Sequence, residues 1–131
     1  MQDWNYEGTS CMEITVELSD IKYPNANTLD VYWQQNKYAL LSYMEQVHSG
    51  VRGQVKSNTG NPLTATITVQ NNSHKVFTDF QFGDYYRLLR PGTYSITASS
   101  AGYQSQTKSV TILANQQIFE TVEINFELSP N

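Results

Sequence analysis

Beyond Gly50 the sequence alternates between short runs rich in Val, Ile, Thr and Tyr and stretches rich in Gly, Pro and Asn. The runs favour β-strands, and the stretches between them favour turns. Seven strands are predicted, over residues 51–57, 63–70, 75–78, 84–89, 93–99, 104–112 and 117–128. Apolar and polar residues alternate within several of them, as half-buried strands require. So many short strands in so few residues predict a mainly β chain, folded as a seven-stranded antiparallel β-sandwich.

The sequence before Gly50 has two other patterns. Every second residue of 11–18 is apolar, which predicts one strand. The apolar residues of that strand are Met12, Ile14, Val16 and Leu18. Residues 29–48 instead carry apolar side chains at helical spacing, with Asn27 or Thr28 as the N-cap and Gly50 as the stop. This is the only helix that the sequence predicts.

The pattern changes from helical to alternating at Gly50, and the composition changes with it. A glycine after the last turn of a helix commonly marks the end of that element. We therefore predict two parts, residues 1–49 and residues 50–131, of which the second is long enough to bury a small core of its own.

Charge and composition exclude several classes of protein. The formal net charge is −4 and the 8 basic residues are not clustered, so the chain lacks the basic patch of a nucleic-acid-binding protein. No apolar run approaches the ~20 residues that a membrane-spanning helix needs. The single cysteine cannot form an internal disulfide. One cysteine and two histidines also fall short of the usual ligands of a structural zinc site.

Glu17 is the first candidate for a catalytic residue, because it shares the polar face of the predicted strand with Glu13 and Thr15. A carboxylate held at the end of a strand can serve as a general base or acid. Alternating Glu and Thr residues are also typical of any solvent-facing strand, and the pattern alone favours that interpretation.

Histidine and cysteine offer weaker signals. Glu45 and His48 lie three residues apart on one helix face, but a metal site needs a third ligand and none is apparent. His74 follows a polar turn and is predicted to be exposed. Cys11 has no histidine beside it, so a nucleophilic role is not indicated. It is either buried or paired with a cysteine outside this chain.

Residues 71–73 form the triplet Asn-Asn-Ser, which is an acceptor sequence for N-glycosylation. The triplet falls at a predicted turn, which makes Asn71 a candidate attachment site. Triplets of this kind also arise by chance, so this one gives only slight support for a secreted protein.

The tyrosine-rich stretch 84–94 contains Pro91 and Gly92, which predict a strand, a tight turn and a second strand. Its tyrosines could form a ligand surface, but tyrosines on paired strands more often pack across the sheet. Taken alone, the residues reveal no complete active site.

Several stretches resemble one known family, in the order in which that family carries them. They are residues 3–6, 11–19, 22–24, 39–41, 47–53, 83–89, 91–94 and 101–103, together with Trp33 and Asn36. Up to residue 49 the chain resembles the end of the catalytic domain of zinc metallocarboxypeptidases of the regulatory group, which comprises carboxypeptidases N, E, M and D. From residue 50 it resembles the transthyretin-like β-sandwich that follows this catalytic domain.

The resemblance implies an activity and a catalytic residue. The family removes C-terminal residues, basic ones in many members, from peptides and proteins. Its zinc ion is held by a His-x-x-Glu pair and a distant histidine, and a glutamate in a Thr-x-Glu-Leu strand works with the zinc-bound water. That glutamate matches Glu17 in the stretch 15–18, so the resemblance implies that Glu17 is the catalytic general base and acid.

The family's zinc ligands and its substrate-binding arginine and tyrosine lie upstream of the matching stretches, and this sequence has no counterpart of them. We therefore expect a C-terminal fragment whose full-length parent binds zinc, while this chain binds no metal and is inactive alone. The expected partners are peptide or protein C-termini. The expected location is the secretory pathway or the cell exterior, with Asn71 as the glycosylation site of a glycoprotein.

Two other hypotheses remain. Residues 50–131 could be a stand-alone β-sandwich that serves as a binding or scaffold module without catalysis, with residues 1–49 as a remnant. The chain could also be a truncated gene product without a selected function. A His-x-x-Glu pair and a second histidine encoded in frame upstream of Met1 would favour the carboxypeptidase hypothesis.

Overall fold

The computed structural model describes residues 2–114 and 121–131 of the chain. Two helices and eight strands lie in these residues: α1 (Gln2–Thr9), α2 (Leu29–Glu45), β1 (Val51–Ser57), β2 (Thr66–Val69), β3 (Asn72–Phe77), β4 (Asp84–Arg87), β5 (Gly92–Ser99), β6 (Gln106–Ile112), β7 (Val122–Glu123) and β8 (Phe126–Leu128). The chain divides into two compact units, Met1–Val47 and His48–Asn131. Both helices belong to the first unit, and all of these strands belong to the second.

Helix α2 confirms the helix that the apolar spacing predicts, although its start is built differently. Thr28 is the N-cap residue but makes no side-chain capping bond. Asn25 takes that role earlier in the chain, where its side-chain oxygen accepts the backbone N–H of Asn27 and opens a short 3₁₀ turn, Ala26–Thr28. An asparagine suits this position because its side chain satisfies a backbone donor that the start of a helical turn leaves free.

Two predictions for the first unit are wrong. Residues 11–18 are not a strand, because the described residues of this unit contain no strand that could pair with them. Residues Gln2–Thr9 form a second helix, which the sequence does not predict because the segment has no apolar stripe and buries no residue. Asp3 in its first turn has the charge that a helix N-terminus favours. Among the described residues, neither helix is long and apolar enough to cross a lipid bilayer.

The strands of the second unit form two sheets. Sheet I has the order β4-β1-β7, and β8 also pairs with β1. Sheet II has the order β3-β2-β5-β6 and is antiparallel throughout. Its longest ladder joins β5 to β6, from the pair Gly92 and Ile112 to the pair Ala98 and Gln106. The predicted mainly β fold with two sheets is confirmed.

Sheet I differs from the prediction in two details. Strands β7 and β8 run parallel to β1, whereas an antiparallel arrangement was expected throughout. Five strands separate β1 from β7 along the chain, so no tight turn dictates their relative direction. Residues 117–120 of the predicted last strand, 117–128, lie outside the described residues. The rest of that predicted strand is interrupted between β7 and β8. At this interruption the Gln54 N–H donates to the side-chain Oδ1 of Asn125 (2.8 Å) instead of to a backbone carbonyl.

Both sheets contribute side chains to one apolar core, which makes the second unit a β-sandwich. The largest fully buried side chains are Tyr85, Phe126, Ile67, Ile96, Leu128, Val51 and Val55. The rings of Tyr85 and Phe126 lie with their centroids 6.2 Å apart. The Tyr85 hydroxyl donates to the carbonyl oxygen of Ile124 at 2.7 Å, so its polar end is satisfied inside the core. Burying an apolar side chain of this size stabilises a fold by about 1.5–3 kcal/mol.

Candidate functional site

Glu17 is exposed and lies in the segment that connects α1 to α2. The apolar residues that alternate with it, from Met12 to Leu18, are also exposed, with between 41% and 52% of each side chain open to solvent. A bond from Gln2 Nε2 to Thr15 Oγ1 (3.2 Å) links this segment to α1. The alternating apolar side chains therefore have little cover within the described residues of the first unit.

A groove of about 1180 Å³ lies beside Glu17 in the first unit. It is lined by residues 17–22 and by the first turns of α2, including Tyr32 and Trp33. The Ser19 hydroxyl accepts the backbone N–H of Ile21 at 2.9 Å and lies 3.2 Å from the Tyr32 hydroxyl. These contacts fix the turn after Glu17 against α2, so the groove presents a carboxylate next to apolar and aromatic side chains.

A metal site is not formed around Glu17. Across residues 2–114 and 121–131, no three His, Cys, Asp or Glu side chains come together in a way that could hold a metal ion. The residues present therefore do not fit a zinc site, which needs at least three protein ligands. What Glu17 offers chemically is a carboxylate that is open to a ligand and able to exchange a proton.

The exposure of the other sequence candidates differs from expectation at one position. Cys11 is exposed, so it is not a buried structural thiol. The prediction of an exposed His74 is wrong, since this residue is buried. Strand β3 begins at Asn72, and its alternation turns His74 inward together with Val76.

The outer face of sheet I carries a second concave area, of about 400 Å³, that the sequence analysis does not identify. Tyr86, Arg52 and Glu123 stand opposite one another there, on β4, β1 and β7. Tyr85 points to the other face and is buried, so these two adjacent tyrosines of the stretch 84–94 lie on opposite faces of sheet I. This juxtaposition depends on the pairing of strands that are distant in sequence, which a local pattern does not reveal.

Asn71 is exposed at the turn between β2 and β3 and has a φ of 62°. Asparagine adopts this left-handed conformation more readily than most residues. Ser73, which completes the acceptor triplet, is exposed on β3. The structure thus places both functional residues of the triplet on the surface.

Comparison with known proteins assigns the second unit to a family. The sequence model of the carboxypeptidase regulatory-like domain matches residues 50–129. This domain is a transthyretin-like β-sandwich, in agreement with the two packed sheets. Among solved structures, a chain whose title names the Caf1A usher C-terminal domain covers 62% of this chain and 97% of its own, with a TM-score of 0.43 and 14% identity. A likeness this low carries no information about function.

Several named relatives match both parts of the chain. Carboxypeptidase D of Mus musculus is 48% identical over 130 residues, which are 98% of this chain and 9% of the relative. The carboxypeptidase N catalytic chain of Rattus norvegicus is 48% identical over 113 residues, 86% of this chain and 24% of the relative. Carboxypeptidase M of Mus musculus is 42% identical over 130 residues, 98% of this chain and 29% of the relative. The chain thus spans less than a third of the length of each of these relatives.

Proposed function

Because the chain belongs to the carboxypeptidase regulatory-like domain family, we propose that it is part of a zinc metallocarboxypeptidase that removes C-terminal, in particular basic, residues from peptides and proteins. In this proposal residues 1–49 form the end of a catalytic domain, and residues 50–131 form the β-sandwich that follows it. Relatives named carboxypeptidase D and carboxypeptidase M match 98% of this chain, so their similarity extends well beyond the family match at 50–129.

The observation that carries this proposal is the exposure of the first unit. None of the described residues 2–47 is buried, although the unit contains Trp33, Leu41 and the alternating apolar residues of 11–18. A helix and an extended segment that both leave apolar side chains uncovered need further protein against which to pack. The rest of a catalytic domain would supply that protein, and it would supply the neighbouring strands that residues 11–18 lack.

Glu17 is proposed as the catalytic general base and acid. It would accept a proton from the attacking water and later donate it to the nitrogen of the leaving amino acid, as a well-placed carboxylate can. Its exposure beside the groove leaves the carboxylate accessible to a substrate. The zinc ligands are assigned to parts of the longer protein outside this chain, so the chain alone is proposed to be inactive. The substrates are peptide or protein C-termini, and the location is the secretory pathway or the cell exterior.

The test joins this chain to the upstream part of a relative, with residues 1–131 in place of the matching segment of mouse carboxypeptidase D. We expect the chimera to release C-terminal Lys or Arg from a peptide. Glu17→Gln should lower kcat by about 10²–10⁴-fold, because it removes the proton-transferring group. Glu13→Gln, a matched change in the same segment, should leave kcat unchanged. Full activity of the Glu17→Gln chimera, or zinc-dependent release by the 131-residue chain alone, would contradict the proposal.

A second candidate function is a stand-alone β-sandwich module for binding or scaffolding. The closed core of the second unit favours it, because this core draws on both sheets within residues 48–131. The same chimera separates the two functions. A chimera that is inactive while its β-sandwich is folded would favour the module.

A further inference from the structure

We propose that Asn71 carries an N-linked oligosaccharide at the turn between β2 and β3. The triplet at 71–73 is the only Asn-x-Ser or Asn-x-Thr triplet in the sequence, so the chain accepts at most one such glycan. The sequence motif alone is weak support. Three features of the structure favour Asn71 as an attachment site.

The first feature is the free side-chain amide of Asn71. Among the described residues, this amide makes no hydrogen bond, whereas the neighbouring Asn72 uses its Oδ1 to accept the backbone N–H of His74 at 2.9 Å. Asn125 is engaged at both ends, because its Oδ1 accepts the Gln54 N–H and its Nδ2 donates to Glu123 Oε1 at 2.8 Å. A sugar on Nδ2 of Asn71 therefore breaks no hydrogen bond made by these residues.

The second feature is the direction in which a glycan would extend. Asn71 and the two residues after it are exposed, and the left-handed φ of Asn71 lies at the tip of the turn. A glycan is bulky and hydrophilic and needs a surface position with room in front of it. The tip of this turn is such a position, so the β-sandwich can be glycosylated without repacking its core.

The third feature is the strand that follows. Strand β3 pairs only with β2 in the described sheet II, so its other side is a free edge. A free edge exposes backbone groups that can pair with a strand of another molecule. A glycan at the start of β3 would stand beside this edge and hinder such pairing.

Attachment is a group transfer from a lipid-diphosphate-linked oligosaccharide. The Nδ2 atom of Asn71 forms a bond to the anomeric carbon of the first sugar, and the bond between that carbon and the diphosphate oxygen breaks. The Nδ2 atom loses one proton, and the lipid diphosphate leaves. The donor and its transferase belong to the secretory pathway, so glycosylation of the native protein rests on the secretory location in the proposed function.

The experiment supplies that location directly. The full chain, directed into the endoplasmic reticulum of cultured animal cells by a cleavable signal peptide, is recovered from cells and medium, and its mass is measured before and after treatment with peptide-N-glycosidase. We expect a mass higher by one oligosaccharide, which the enzyme removes while converting the residue 71 amide to a carboxylic acid. Asn71→Gln and Ser73→Ala should each abolish the increase. Asn72→Gln keeps an intact acceptor triplet and should retain it.

An unmodified wild-type chain, or an increase that persists in Asn71→Gln, would overturn the proposal. Total cell extract is measured as well as medium, so poor secretion of a variant does not obscure the result. The measurement needs neither carboxypeptidase activity nor the natural targeting signal. A failure of this experiment would therefore not contradict the proposed enzyme function. An inactive chimera, in turn, would not contradict glycosylation at Asn71.

Discussion

The two units of this chain both contain many apolar residues, yet among the described residues only those of the second unit include buried ones. Residues 48–131 enclose a core that includes Tyr85, Phe126 and Leu128, all nearly inaccessible to solvent. In the first unit, none of the described residues 2–47 is buried, and Trp33 and Leu41 are about half exposed. The second unit therefore has a core of its own, as a domain does, whereas the described residues of the first unit form none.

The difference shows what an apolar pattern does and does not specify. Residues 11–18 alternate as regularly as the strands of sheet II, but only the strands of sheet II have neighbours that satisfy their backbone groups. Alternation selects which side chains would face a core, while strand formation also needs a partner. The same sequence signal thus gives a strand in one unit and an uncovered segment in the other.

A matched pair of leucine truncations should give the largest difference between the units. Leu128→Ala removes a side chain that is 1% exposed in the second unit and should lower the free energy of unfolding by about 2–5 kcal/mol. Leu41→Ala removes one that is 45% exposed in α2 and should change it by less than about 0.5 kcal/mol. Urea unfolding followed by circular dichroism measures both. Equal losses would mean that the first unit has a core after all.

A pair of glycine substitutions tests whether the backbone is closely packed in the second unit and open in the first. A Cβ atom at Gly53 would run into the carbonyl of Ile124, so Gly53→Ala should force β1 away from the segment between β7 and β8 and cost about 1–3 kcal/mol. A Cβ atom at Gly8 in α1 would meet nothing within 4 Å. Gly8→Ala should therefore be neutral or favour α1 by up to about 1 kcal/mol. An unchanged melting temperature for Gly53→Ala would contradict this difference between the two units.

A pair of hydroxyl deletions should give a smaller difference. Thr78 is buried, and its Oγ1 donates to the Leu63 carbonyl (2.7 Å) and accepts the Ala65 N–H (2.8 Å). Thr78→Val leaves both partners without this bond and should cost about 1–3 kcal/mol. Ser19→Ala removes partly exposed bonds in the first unit and should leave the unfolding midpoint in urea unchanged. A larger shift of the unfolding midpoint for Ser19→Ala than for Thr78→Val would contradict this account, because the more important hydrogen bonds would then lie in the first unit.

The sequence predicts much of the second unit because its signals are local. The inward faces of β2 and β5, which include Ile67 and Ile96, follow from alternation alone. The sequence does not predict the burial of His74, because the turn before it is shorter than its residues indicate and β3 already begins at Asn72. The parallel pairing of β7 and β8 with β1 depends on contacts between distant residues, and no local pattern encodes it.

The candidate site, in contrast, is not predicted by the local sequence pattern. Nothing in the local sequence distinguishes Glu17 from Glu13, since both lie on the polar face of the same alternating segment. The family resemblance, not the pattern, selects Glu17. The features that would make one of them catalytic, a metal ion and a packed strand, depend on protein that residues 2–47 do not supply.

The smallest effect appears only in alkaline solution and belongs to the second unit. Burial raises the pKa of the Tyr85 hydroxyl above its ordinary value, so the folded chain keeps a proton that the unfolded chain releases from about pH 10. Its contribution to stability is complete below that pH and is lost as the pH rises further. Tyr85→Phe should reduce this alkaline decline in the free energy of unfolding, measured in urea at several pH values. An equally steep decline in Tyr85→Phe would show that other groups cause it.

Amide hydrogen exchange tests the central claim most directly, because it reports each segment separately. In the 131-residue chain we expect the amides of β2, residues 66–69, to be protected and those of 11–18 to exchange as in an unstructured chain. In the chimera with the upstream part of mouse carboxypeptidase D, residues 11–18 should become protected while β2 stays unchanged. Equal protection of both segments in the chain alone, or no gain of protection at 11–18 in the chimera, would contradict the claim that the first unit is the end of a larger catalytic domain.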